Sequence, residues 1–144
     1  MTRWIAIDYG EKRIGVAITD PLKLFAKPHC TIENHTDAQV ESEIIKIIKE
    51  QKVDKLIVGL PIAISGDDSA KTKEVRDFVE KLKISLAHTG CQIEMWDERY
   101  STADANELCK QKGLDWKNAR KVVDQIAAAV ILQNYLNQTV ATAT

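Results

Sequence analysis

Trp4–Asp20, WIAIDYGEKRIGVAITD, is the stretch from which the rest of the chain is read. Ile5 and Ile7 alternate with Ala6 and Asp8, and Ile14, Val16 and Ile18 alternate with Gly15, Ala17 and Thr19. That two-residue period is the mark of strands. The connection Tyr9 to Arg13 contains Gly10, which can take the positive φ a short hairpin loop often needs, then three charged residues that keep the tip in water. The segment is a β-hairpin with one bulky face and one small face. Asp8 closes the first strand. On the face of Ala6, Gly15 and Ala17 it would leave room for a metal ion or a polymer backbone to approach the sheet. An Asp that ends a strand and caps a turn is the ordinary alternative, and the spacing weighs the two about equally.

The chain has 144 residues, which is most simply one domain, taken as 1–138 with 139–144 as a disordered tail. No apolar run reaches the ~18 residues of a membrane span, and the start MTRWIAIDYG lacks a signal-peptide core, so a cytoplasmic location is expected. Cys30, Cys91 and Cys109 are odd in number and far apart, which indicates core thiols rather than a disulfide framework or a zinc site. The formal net charge of -1 supplies no global attraction for nucleic acid, so such binding depends on local basic patches.

Beyond the hairpin, two prolines interrupt Pro21 to Pro28, and a short third antiparallel strand is expected around Cys30 to Glu33. Thr36 with Gln39 forms a capping-box pattern opening a helix to about Lys52, with Val40, Ile44, Ile47 and Ile48 on one face. Lys55 to Leu60 is an almost continuous apolar run, as in a strand buried on both faces, and Pro61 ends it. The loop Ile62 to Ser69 carries turn signals and caps a helix bearing Val75, Phe78, Val79, Leu82 and Leu86, with Gly90 suited to its stop. Cys91, Ile93 and Met95 alternate with Gln92, Glu94 and Trp96, as in a half-exposed strand, up to the charged cluster Asp97, Glu98 and Arg99. Ser101 with Asp104 predicts a short helix stopping near Gly113, and Asp115 caps a last helix over roughly Trp116 to Leu136, followed by a frayed NQTVATAT.

This order implies an α/β fold, a five-stranded mixed sheet with helices on both faces. If the first and fourth strands are adjacent and parallel, Asp8 lies where open α/β sheets bind ligands, at the C-terminal strand edge. Asp124 precedes Ala127 and Ala128, small residues that let the last helix lie close to the sheet and extend a carboxylate toward Asp8. With an acid from the Asp97–Glu98 pair, three carboxylates would converge there. Such a cluster requires a cation, and an all-oxygen site suits Mg²⁺ or Mn²⁺, with two-metal phosphodiester hydrolysis as the matching chemistry.

DYGEKRIGVAITD, VGLP followed by SGDDSAKTKEVRDF, DERYST and DQIAAAVILQNYL resemble, in this order, the signature blocks of the YqgF family, pre-16S rRNA nucleases also described as Holliday-junction resolvase-like. The resemblance covers nearly the whole chain and departs from the family pattern only at Ile62 to Ile64. It implies a ribonuclease H-like fold and a nuclease with an acidic metal site, for which the acid cluster above suits two Mg²⁺ or Mn²⁺ ions. It also implies that Asp8, Glu98 and Asp124 are the catalytic and metal-binding acids. Asp97 and Glu98 face opposite ways if the strand continues, and Glu98 is favoured as the acid further along.

Lys12 and Arg13 at the hairpin tip, Arg99, and Arg120 and Lys121 on the last helix are candidate nucleic-acid contacts. Each has a plain alternative: Arg99 as a surface ion pair, Arg120 as an i,i+4 partner of Asp124, and the lysines as a solvated face. The three histidines have no ligand spacing, and Trp4, Trp96 and Trp116 suit core anchoring better than base stacking. An actin-like ATPase also begins with an Asp-Gly hairpin but needs a longer chain to repeat the unit. A non-catalytic scaffold of the same fold competes with the nuclease. Pre-16S rRNA is the expected substrate and branched DNA the alternative, with monomer and homodimer both open.

Overall fold

The computed structural model describes residues 2–61, 69–97 and 116–143, with the side chains of the last helix described over 123–139. Strands β1 (Arg3–Asp8) and β2 (Arg13–Thr19) form the hairpin, with Ala6 opposite Ala17 and Asp8 opposite Gly15. Strand β3 (Ala26–Glu33) adds antiparallel to β2. Helix α1 (Asp37–Gln51) leads to β4 (Val53–Leu60), parallel to β1, and α2 (Ala70–Ser85) leads to β5 (Gln92–Asp97), parallel to β4. The last helix, α3, spans Trp116–Ala143. The sheet order β3-β2-β1-β4-β5 puts the hairpin's first strand at the centre, with β4 parallel beside it.

The bulky and small faces of the hairpin divide the molecule into its layers. Ile5, Ile7, Ile14, Val16 and Ile18 pack with Val40, Ile44, Ile47 and Ile48 of α1 and Val75, Val79 and Leu82 of α2. Ala6, Ala17 and Ile57 form the other face, covered by Ala128, Ile131, Leu132 and Tyr135 of α3. Small side chains let that helix come so close that a Cβ on Gly15 would run into the main chain of Asp124. Gly15 is required there by approach of the helix.

Local signals explain the element ends. Thr36 Oγ1 accepts from Gln39 N at the start of α1, and Lys52 closes that helix in the left-handed region, φ 54°. Ser69 and Thr72 form a full capping box on α2, and buried Thr72 also donates to the Pro61 carbonyl, tying the helix start to the end of β4. After α2 a single 3-10 turn, Ala87–Thr89, intervenes before Gly90 (φ 76°) turns the chain into β5.

Several expectations are corrected. Among the described glycines only Gly90 has a positive φ. Gly10 is needed because a Cβ there would strike the Arg13 carbonyl, so it is close packing of the loop that selects glycine. Pro28 does not stop the third strand: β3 starts at Ala26, and its edge position and the register shift near Ala17 accommodate a residue that cannot donate. The tail expected to fray is helical up to Ala143, as α3 continues past Leu136. The expected helix between Ser101 and Gly113 lies outside the described residues, as does nearly all of the Ile62–Ser69 loop.

Candidate active site

Asp8 is the last residue of β1, and its strand partner Gly15 lies directly under Asp124 of α3. Two carboxylates 116 positions apart in sequence are thus brought to one place by a hairpin register and a helix crossing. Asp8 is partly buried. Burial pushes its carboxyl up to about 6, Lys71 opposes the shift, and Asp124 adds to it. Asp124 is held from the other side, since Arg13 Nε donates to its Oδ2 at 3.2 Å.

The hairpin tip is a fixed wall. Asn34 Nδ2 donates to the Gly10 carbonyl at 2.8 Å, Asn34 N donates to the Lys12 carbonyl at 2.9 Å, and Tyr9 packs on Phe78 of α2 with ring centroids 4.7 Å apart. Facing it is the first turn of α2. Between them lies a cleft of about 660 Å³ lined by Glu11, Lys12, Arg13, Lys71, Glu74 and Asp124, among others. Asp124 reaches the cleft wall, while Asp8 lies at the end of the strand beside it.

Of the candidate residues, Asp8, Asp124, Lys12 and Arg13 stand together at this end of the sheet. Arg13 is not simply a solvated tip residue, because it is bound to Asp124. Glu98 and Arg99 lie outside the described residues, as do the side chains of Arg120 and Lys121. Sequence reading passed over Lys71 and Glu74. The available signal was their place in the first helical turn after β4, at the C-terminal strand edge where ligands bind.

A family model described as "RuvX: Holliday junction resolvase" matches residues 2–138. The chain belongs to the RuvX family. A relative from Chloroflexus aurantiacus, named "Putative pre-16S rRNA nuclease", is 35% identical over 133 residues, covering 92% of this chain and 85% of the relative. One of the same name from Fusobacterium nucleatum is 37% identical over 138 residues, covering 95% and 98%. In fold, the chain resembles the T. thermophilus RuvC solved with a Holliday junction substrate, at TM-score 0.63 and 10% identity over 99% of this chain and 98% of that one. The fowlpox virus Holliday junction resolvase gives 0.60 at 14% identity, covering 96% and 99%. The fold is ribonuclease H-like, and the family is one of nucleases. No helix among the described residues is long and apolar enough to cross a membrane.

Proposed function

We propose that the protein is a metal-dependent nuclease hydrolysing phosphodiester bonds in pre-16S rRNA, acting in the cytoplasm during ribosome biogenesis. The observation that carries this reading is the meeting of Asp8 and Asp124 over Gly15, beside the basic side chains of the cleft.

The donor set fits a hard cation. Mg²⁺ and Mn²⁺ bind through one or two carboxylates and keep several waters, which a pair of acids at the mouth of an open cleft permits. Among the described residues no three His, Cys, Asp or Glu gather, and the third acid of this reading is Glu98, outside them. Strand alternation favours Glu98 over Asp97. In β5, Ile93 packs on the α1/α2 side and Trp96 on the α3 side, and Glu98 shares Trp96's parity in the sequence, which supports choosing it over Asp97.

When bound, the metal supplies Lewis acidity and a water acidified toward neutral pH. The remaining work belongs to the chain. Asp8 and Asp124 hold the cations, and Asp8 must be ionised to do so. Lys12, Arg13 and Lys71 flank the acids and hold backbone phosphates as point charges or, for Arg13, through a guanidinium fork. Arg99, Arg120 and Lys121 are further candidate phosphate contacts from the sequence.

RNA is preferred to branched DNA because relatives sharing about a third of this sequence carry the rRNA nuclease name. The family description keeps junction DNA as the second reading. The deciding experiment incubates purified protein with pre-16S rRNA fragments and with a synthetic four-way junction, each with Mn²⁺, Mg²⁺ or chelator. Metal-dependent cleavage of the rRNA is expected. Asp8→Asn and Glu98→Gln should slow it about a thousandfold or more, and Asp97→Asn should leave a measurable fraction. Cleavage of the junction alone moves the substrate to DNA, and inertness toward both leaves a scaffold.

A further inference from the structure

The pair Arg13–Asp124 joins the first residue of β2 to a helix 111 residues later, and both backbones are fixed. Arg13 is paired with Glu33 across the sheet, and its carbonyl lies against Gly10. Asp124 is seated on Gly15. Only the side chains can change the contact. They are 32% and 27% exposed, so the guanidinium has room to turn toward the cleft that both residues line. Oδ2 of Asp124, which Arg13 occupies, is also an oxygen that a hard cation would take.

We infer that Arg13 is an exchangeable counter-ion: it neutralises Asp124 in the metal-free protein, and when cations occupy Asp8 and Asp124 it is released to hold a nucleic-acid phosphate at the cleft mouth. This rests on the nuclease reading and adds regulation of the same site. One positive group serves the acids or the substrate, according to whether metal is present. Metal and nucleic acid then bind with positive coupling, each raising the affinity for the other by the same factor.

The test measures Mn²⁺ binding by calorimetry, without nucleic acid, for the wild type, Arg13→Gln and Arg13→Lys. It also follows the salt dependence of binding to a single-stranded RNA oligonucleotide with and without Mn²⁺, the intact strand being verified by gel. Arg13→Gln should bind Mn²⁺ about two- to fivefold more tightly, because a partly exposed competitor is gone. In the wild type, Mn²⁺ should steepen the log-log salt slope by about 0.7, the value of one added phosphate contact on a single strand. That steepening should vanish in Arg13→Gln and return in Arg13→Lys. Unchanged or weaker Mn²⁺ binding by Arg13→Gln, with no slope difference between it and the wild type, would make Arg13 a fixed partner of Asp124 and overturn the exchange alone. A wild type that binds no Mn²⁺ would remove the metal reading and the exchange together.

Discussion

Under α3 the sheet carries charged side chains toward both ends, and the two groups are treated in opposite ways. Near the strand starts, Lys55 Nζ donates to Tyr135 Oη at 2.9 Å, Tyr135 Oη donates to Glu94 Oε2 at 2.7 Å, and Nζ lies 4.4 Å from the centre of the Trp4 ring. Trp4 and Trp96 both meet Tyr135 edge to face, at 5.7 and 5.5 Å. Burial by itself would lower the pKa of Lys55, but the bond to Tyr135 and the nearby acids leave it raised. At the strand ends the forces on Asp8 do not balance: burial and Asp124 outweigh Lys71, and the acid is driven up to about 6. A charge that the fold satisfies fastens the helix. A carboxylate that the fold buries further than it compensates is poised for a cation from outside.

Gly15→Ala gives the largest way to break the contrast. The new Cβ meets the Asp124 main chain, so α3 must lift at the Asp8 end. The expected loss is about 3 kcal/mol by denaturant unfolding, together with the stabilisation by Mn²⁺. A loss under about 0.5 kcal/mol would mean that the helix does not bear on that glycine.

Asp8→Asn sharpens it, with a smaller effect of the opposite sign. Because the folded-state pKa is raised from 3.8 to about 6, the protonated acid favours the folded state. That contribution is fully present below about pH 3.8 and is lost as pH rises through about 6. In chelator the amide should therefore match the wild type near pH 3.5 and exceed it by about 1–3 kcal/mol at pH 8. Denaturant midpoints at the two pH values decide this, and an equal difference at both would show that Asp8 is not under strain.

The smallest effect belongs to the satisfied end. Tyr135→Phe removes the hydroxyl between Lys55 and Glu94 but keeps the ring, and Glu94 is exposed enough for water to replace part of the loss. A destabilisation of about 1 kcal/mol is expected, with the response to Mn²⁺ unchanged. Altered Mn²⁺ binding would mean that the two ends are coupled through α3.

Patterns local in sequence were legible without the structure. Alternation in Trp4–Asp20 told the bulky face from the small one, and the helical period of Val40, Ile44, Ile47 and Ile48 named the residues α1 buries. The apolar run ending at Leu60 announced a strand parallel to β1, and Asp8 and Asp124 could be matched because small residues mark where a helix comes close. These follow from the side-chain periods of strand and helix, which every few residues express. Tertiary structure alone decided which cation faces which acid. Arg13 is bonded to Asp124 across 111 positions of sequence, a contact that no helical spacing suggests. Lys71 acts on Asp8 because the first turn of α2, tied to the end of β4 by the Thr72 bond to Pro61, stands at the strand ends. Such pairings depend on distances between elements far apart in the chain, set by strand register and helix crossing, and no local period encodes them.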